Sequence, residues 1–345
     1  MRTEYHRSAR ATPWDGVAEP TPAQAVVGRA HADMYEQRHA PLSSTGEAAF
    51  FNGYPRDACP RCGSPRVKRD GRDRNGVQRR RCLACGRTFT PATGTIFDGR
   101  KLSVNEWVEF LLEVFAYEST SAVRKNNRRS ATTPELWLHK LFLVLSGWQD
   151  SIALSGTAWV DETYWPVEAS EVARVDGRAL RGLSRNKLCV GVGVDSAGHR
   201  VFLLEGRGKT SASKTWDAFG ARVERGTRLV HDMEPAHNVL VRELGLVSEA
   251  HNAKAASKMA DRDNPLRPVN RECDRLKKFL RSHSGFRRED MQGWLDLFAV
   301  IRNPPDDPLE KAAWVLDRAM RNPVTLRFRD YYRVPPAYEP DLGDV

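Results

Sequence analysis

The sequence predicts an α+β protein of several domains: a small cysteine- and arginine-rich module, then a helix pair, then a mixed β-sheet with flanking helices. Three observations predict this. The chain of 345 residues is long enough for two or three domains. Two C-x2-C pairs lie in a segment that has little apolar material, residues 50–97. After residue 148 strand-like runs come first, at 157–164, 188–195, 200–206, 228–232 and near 246–250, and helical patterns are interleaved later, which is typical of a sheet with helices on its faces.

The charge of the chain points to a polyanionic partner. It contains 54 Lys and Arg residues, with a net charge of +10 and a pI near 9.5, which favours nucleic acid over an acidic small molecule. A soluble protein that is merely basic is the alternative. No apolar run is long enough to span a membrane, and the N-terminus lacks the apolar stretch of a secretory signal. We therefore expect no membrane association and a cytoplasmic protein, whose cysteines are metal ligands or buried thiols rather than disulfides.

Composition and periodicity predict five segments: a polar N-terminal arm (1–50) with one short helix around residues 21–37, the cysteine-rich module (51–98), the helix pair (99–150), the sheet domain (151–304), and a C-terminal helix and tail (305–345). Ser103 is a good N-cap for the first helix of the pair, with Glu106 three residues on, and Thr133 and Pro134 open the second. This arrangement suits a helix-turn-helix. A polar stretch between the two helices, residues 118–130, contains basic residues that are candidate DNA contacts: Arg124, Lys125, Arg128 and Arg129.

The cysteine spacing predicts a four-thiolate zinc site. Two C-x2-C pairs are separated by 19 residues, and a glycine directly after each pair, Gly63 and Gly86, lets the backbone curl around an ion; the ligands are Cys59, Cys62, Cys82 and Cys85. Two redox C-x-x-C motifs or unpaired thiols are the alternative. The module contains ten basic residues between Arg61 and Arg87, among them the run Arg79, Arg80 and Arg81. We expect this zinc ribbon to contact DNA phosphates, although a solvated charged face is also open.

Three carboxylates lie where a carboxylate needs a compensating cation. Asp161 interrupts a run that otherwise reads as a buried strand, and Asp232 ends a second apolar strand. Glu272 falls inside the edge of the apolar stripe of a predicted helix, whereas Asp274 points away. Two strand aspartates and one helix glutamate are what a ribonuclease H-like fold uses to hold two Mg²⁺ ions. Glu162, on the opposite face of its strand, is a supporting candidate only.

Each carboxylate also has a structural alternative. Asp161 could form an ion pair with an arginine at a strand end. Asp232 could be a helix cap or turn residue ahead of Pro235. Glu272 could pair along its own helix with Arg275 or Lys278.

Several blocks together resemble a known family. They are the run from Val160 to Tyr164, the triplet Val230-His231-Asp232, and the long block from Val269 through Phe286 to Asn303. With the ribbon, the chain resembles the DDE transposases of bacterial insertion sequences, specifically the zinc-ribbon branch with an ISXO-type catalytic domain, over about residues 59–303. The N-terminal arm and the Pro-rich tail depart from the family pattern.

The resemblance implies a catalytic triad of Asp161, Asp232 and Glu272, with 70 and 39 residues between successive members. It implies a ribonuclease H-like catalytic domain, two Mg²⁺ or Mn²⁺ ions, one structural Zn²⁺, and assembly of several copies on DNA. The expected reaction is cleavage at the transposon ends followed by strand transfer to target DNA. Two alternatives stay open: a catalytically silent, transposase-derived protein that binds a specific DNA sequence, and a structure-specific nuclease without strand transfer.

Overall fold

The computed structural model describes residues 12–38, 46–99, 103–127, 130, 132–283 and 285–331. Arg128 and Arg129, two of the predicted DNA contacts, lie outside the described residues, as do parts of the predicted arm and tail. The described residues form two units by their contacts: one runs up to Lys140 and includes Ala312–Phe328, and the other comprises Leu141–Lys311 and the residues from Arg329. Among the described residues, no helix combines the length and apolar character that crossing a bilayer requires.

The first unit contains several helices and a small three-stranded sheet. Its elements are α1 (Pro22–Arg38), α2 (Glu47–Asn52), β1 (Val67–Arg72), β2 (Gln78–Cys82), β3 (Thr88–Phe89), α3 (Val104–Phe115), α4 (Thr120–Asn126) and the start of α5 (Thr132–Leu145). The prediction of a short helix within the N-terminal arm is confirmed by α1. Helix α2 lies partly inside the same predicted arm, yet Glu47 is buried and accepts a hydrogen bond from the backbone N–H of Val104.

The sheet of the first unit carries the cysteines. Strand β2 pairs antiparallel with both β1 and β3, and its last residue is Cys82. Gly63 and Gly86 have φ of 70°, so the predicted curl of the backbone after each cysteine pair is confirmed. The apolar core consists of two cysteines with Phe89 and Val67. A core this small needs a further source of stability, which a metal ion would provide.

The predicted capping box is confirmed at the start of α3. The Ser103 side chain accepts a hydrogen bond from the backbone N–H of Glu106, and the Glu106 carboxylate accepts one from the N–H of Ser103. The polar stretch that follows contains a further short helix, α4, which the sequence did not predict. The Ser119 side chain caps this helix by accepting a hydrogen bond from the backbone N–H of Ala122, and Val123 is its buried residue. The helix-turn-helix remains a prediction.

A five-stranded mixed sheet organises the second unit. Its strands are β4 (Thr157–Pro166), β7 (Lys187–Asp195), β8 (Arg200–Arg207), β9 (Arg228–His231) and β10 (Val247–Ala250), in the order β10-β9-β4-β7-β8. Strands β4, β7 and β8 are antiparallel to their neighbours in this set, while β9 runs parallel to β4 and β10 parallel to β9. All five were predicted from the sequence, within a few residues at each end. The short hairpin of β5 (Arg174–Val175) and β6 (Arg178–Ala179) was not.

The helices of this unit are α6 (Ala212–Phe219), α7 (Asn238–Leu244), α8 (Ala253–Ala256), α9 (Arg267–Ser282) and α10 (Met291–Arg302), whereas α11 (Pro308–Arg321) belongs to the first unit from Ala312 onward. Val160 and Leu229 share a core with Phe219 of α6, and α9 and α10 pack on the opposite face. This mixed α/β arrangement is compatible with the ribonuclease H-like domain that was expected. It places the ends of β4 and β9 side by side.

Candidate functional site

The sheet brings Asp161 and Asp232 to the same level of two neighbouring strands. Strands β4 and β9 are parallel, and Trp159 pairs with Val230, so each aspartate lies two residues beyond this pair. Since Ala158 and Val160 point into the core under α6, alternation directs Asp161 to the face that α9 covers. The pKa of Cys273 on α9 is raised by burial and, next, by the negative charge of Asp161, which agrees with that placement.

Asp161 is a partly buried carboxylate that has no cationic partner among the described residues. It accepts a hydrogen bond of 2.8 Å from the backbone N–H of Glu162, and no lysine or arginine of the described part of the chain pairs with it. Burial, followed by the negative charges of Asp232 and Glu162, raises its pKa to about 7. The alternative of an ion pair with arginine is therefore not found. A divalent cation would relieve both burial and repulsion.

Asp232 lies at the exposed end of β9, in a tight turn. Its Oδ1 accepts a hydrogen bond of 3.0 Å from the backbone N–H of Glu234, so the turn alternative is present. Met233 has φ of 67°, a conformation that costs a residue with a Cβ atom about 1 kcal/mol or more. The turn brings the Nδ1 of His237 to 3.6 Å from Oδ1 of Asp232. A carboxylate that accepts one hydrogen bond keeps lone pairs for a metal ion, so the two roles are compatible.

Glu162 and His237 form a buried pair on the other face of β4. The His237 Nε2 lies 2.9 Å from Oε1 of Glu162, and both side chains are almost fully buried. Burial alone would lower the pKa of His237, but the hydrogen bond and charge of Glu162, with Asp232 and Asp161, outweigh it and raise the pKa. Glu162 therefore has His237 as its hydrogen-bond partner, and its side chain lies on the face of β4 opposite to that of Asp161.

Glu272 is held by three arginines. Its carboxylate accepts hydrogen bonds from Nε and Nη2 of Arg302 at 2.9 and 3.0 Å and from Arg275 at 2.5 Å, while Nε of Arg200 lies 3.3 Å away. Burial would raise its pKa, but Arg302, then Arg275 and Arg200, reverse this and lower it. The alternative of pairing with Arg275 is therefore found. Within the described residues, Glu272 belongs to no cluster of ligand atoms with either aspartate.

The four predicted zinc ligands lie together. The sulfur atoms of Cys59 and Cys85 are 3.8 Å apart, those of Cys62 and Cys82 are 3.7 Å apart, and all four lie within 4.8 Å of one another. Zinc–sulfur bonds of about 2.3 Å in a tetrahedron place sulfurs about 3.8 Å apart, so the geometry fits one zinc ion. Backbone N–H groups, led by that of Cys85, lower the pKa of Cys82 to about 6, which favours the thiolate that binds metal.

Like charges face each other across the small sheet. Lys68 pairs with Arg81 and Arg69 with Arg80, and Arg79 and Arg81 are exposed. Directly opposed like charges destabilise an antiparallel pair, so an anion bound there would relieve repulsion. On α4, Lys125 is exposed and Arg124 half-buried. The surface therefore suits phosphate binding.

Comparisons with known proteins give a limited result. No family model matches the sequence, and no curated protein matches it. Among solved structures, the chain has a likeness to a pre-cleavage Mos1 transpososome, at 12% identity and a TM-score of 0.26, covering 62% of this chain and 76% of that one. A Mos1 transposase paired-end complex with left transposon end gives 13% identity and a TM-score of 0.27, with 62% and 75% covered. Both TM-scores are below 0.5, so neither likeness assigns a family or a role to this chain.

The sequence did not predict the surroundings of four residues of this site. The sequence predicts neither the burial of His231 and His237 beside Asp232 nor the contacts of Arg200 and Arg302 with Glu272. The two histidines had a local signal, because both lie within a few residues of Asp232 in the run His231-Asp-Met-Glu-Pro-Ala-His237. The two arginines had none, because they lie 72 positions before and 30 after the glutamate.

Proposed function

We propose that the chain is an insertion-sequence transposase that cleaves DNA at the transposon ends and joins it to a target by a DDE mechanism. The observation that carries the proposal is the placement of Asp161 and Asp232 level with each other on neighbouring strands, with Asp161 partly buried and without a cationic partner among the described residues. A pair of carboxylates in this state fits divalent cations with a preference for oxygen ligands, such as Mg²⁺ or Mn²⁺.

Asp161, Asp232 and Glu272 would hold two such ions in this proposal. Bound there, the ions would activate the attacking oxygen and stabilise the departing one at phosphorus. Glu272 is neutralised by its three arginines in the structure of the chain alone. We propose that DNA phosphates take over the guanidinium groups of Arg200, Arg275 and Arg302 and so release the carboxylate. The complete metal site would then assemble only when DNA is bound.

Binding of DNA is assigned to the zinc ribbon and the neighbouring helices. One structural Zn²⁺ would be held by the four cysteines. The exposed pair Lys68 and Arg81 supports phosphate contacts, together with Arg79, Arg80, Arg124 and Lys125, while Arg128 and Arg129 rest on the sequence alone. The remaining parts of the proposal are assembly of several copies on DNA and action in the cytoplasm.

Cleavage of DNA that carries the inverted repeats flanking the coding region tests the proposal. With Mg²⁺ or Mn²⁺, the wild type should nick this DNA, and Asp161→Asn and Asp232→Asn should lose cleavage while retaining binding. Glu272→Gln should lose cleavage too, whereas its matched control Asp274→Asn, an exposed acidic residue two positions along α9, should not. Full cleavage by either aspartate variant refutes the proposal. Full cleavage by Glu272→Gln alone removes Glu272 from the triad.

The second candidate is a transposase-derived protein that binds a specific DNA sequence without cutting it. The arginine contacts of Glu272 favour it, because a carboxylate already paired with three guanidinium groups resembles a structural ion cluster. Tight binding of the repeat DNA by the wild type, with no cleavage in either metal, supports this candidate over the enzyme. A structure-specific nuclease would instead cut the same DNA without joining it to a second duplex.

A further inference from the structure

Two buried histidines flank Asp232, and each has one ring nitrogen without a hydrogen bond. His231 is 2% exposed and His237 is 0% exposed. In each ring the Nδ1 has no hydrogen-bond partner among the described residues, although that of His237 lies 3.6 Å from Oδ1 of Asp232. A buried polar atom without a hydrogen bond costs free energy, so its retention in two neighbouring rings calls for a ligand.

The other nitrogen of each ring is already engaged. Nε2 of His231 lies 3.0 Å from the hydroxyl of Ser248 on β10, and Nε2 of His237 lies 2.9 Å from Oε1 of Glu162. Because a carboxylate only accepts hydrogen bonds, Nε2 of His237 is the donor in this contact. In its neutral form this ring carries a lone pair at Nδ1, which a metal ion can bind in place of a proton. Histidines that bind metal ions show this same arrangement, with the second nitrogen fixed by a carboxylate or another polar group.

The three side chains lie within the span of one metal site. One ring nitrogen of each histidine and one carboxylate oxygen of Asp232 are within 4.8 Å of one another. Zinc bonds to nitrogen and oxygen of about 2.0–2.2 Å place tetrahedral ligands about 3.4 Å apart, close to the 3.6 Å between His237 and Asp232. The Asp232 side chain is 26% exposed, which leaves an open side toward solvent.

We propose that His231, Asp232 and His237 form a second metal site that binds a transition-metal ion, with zinc as its test ligand, and leaves one coordination position open. Two imidazoles and one carboxylate favour zinc and similar ions over Mg²⁺, which prefers oxygen ligands. The site shares Asp232 with the proposed catalytic centre but requires neither DNA nor cleavage. Zinc at this site would occupy Asp232 and compete with Mg²⁺ there.

Counting tightly bound zinc in the full chain tests the site. After loading with Zn²⁺ and removal of weakly bound metal by a chelator of known affinity, the wild type should retain two ions per chain, one at the four cysteines and one here. His231→Asn and His237→Asn should each retain one. The matched control His251→Asn, which removes a histidine just after β10 that contacts Glu249 instead, should retain two.

A further variant protects the test against loss of folding. Ser248→Ala removes only the hydroxyl beside His231, on an exposed strand, and should weaken the second zinc by about 10- to 100-fold. One zinc per wild-type chain refutes the site and leaves His237 as a charged bridge between Glu162 and Asp232. Two zinc ions in folded His231→Asn and His237→Asn, with unchanged affinity in Ser248→Ala, refute it as well. Because no DNA is present, failure of the cleavage experiment does not affect this count.

Discussion

His283, at the C-terminal end of α9, should make the fold sensitive to acid. It is 6% exposed, its ring lies 4.7 Å from that of Phe279 and 4.4 Å from that of Trp294, and neither ring nitrogen has a hydrogen-bond partner among the described residues. Burial lowers its pKa from 6.5 to about 4. The unfolded chain therefore binds a proton between these two values that the folded chain does not. Stability should fall as the pH drops through 6.5 and stop falling near 4.

The size of this effect follows from the two pKa values. Between pH 7.5 and 4.5 the linkage amounts to about 2.5 kcal/mol. His283→Phe removes the titrating group and keeps an aromatic ring beside Trp294. Urea unfolding followed by circular dichroism at several pH values should show that the wild type loses about 2.5 kcal/mol more than the variant over this range. All other titrating groups are common to both proteins, so equal losses would refute a buried, neutral His283.

Three further perturbations test the fold and the ribbon. Gly191→Ala would place a Cβ 2.5 Å from Oε1 of Glu205 and 2.7 Å from Phe219, so urea unfolding should show a loss of about 1–3 kcal/mol, whereas Gly28→Ala, with open space around it, should cause none. Cys82→Ser should bind one zinc fewer and lose hydrogen-exchange protection in β1–β3 but not in β4; unchanged zinc content contradicts the site. Arg81→Ala should reduce the salt dependence of DNA binding by about one unit of slope, unlike Arg242→Ala, whose guanidinium pairs with Glu243.

The secondary structure was largely predictable because local patterns determine it. The capping box at Ser103 and the strand-like runs around Asp161 and Asp232 all act over a few residues, and the structure has elements there. Helix α4 was missed because its polar residues hide one buried contact, Val123. The hairpin of β5 and β6 offers only two residues per strand, too few for a periodic pattern.

The site was predictable only where spacing or strand order fixes it. The C-x2-C pairs define a local turn each, and one sheet joins them, so the four sulfurs meet as expected. Asp161 and Asp232 meet because their strands are adjacent and parallel. Pairing of Glu272 with Arg275 was one of the predicted alternatives, but its other two partners, Arg200 and Arg302, come from β8 and α10, and no pattern along the chain encodes a side-chain contact between such distant segments. Whether Glu272 serves as the third ligand was thus beyond the reach of sequence reasoning.

The three carboxylates differ in how their charge is compensated, and this difference determines what DNA must do. Asp161 has no cationic partner among the described residues and lies near a second carboxylate. A metal ion bound there would therefore offset both the cost of burying the charge and the repulsion between the carboxylates. Glu272 already pairs with three guanidinium groups, so a metal ion would add little stabilisation there unless those groups pair with another anion. DNA phosphates are such anions, and bidentate contacts with arginine suit them. If the proposed function holds, a metal ion should bind at Asp161 before DNA binds, whereas metal binding at Glu272 should require bound DNA.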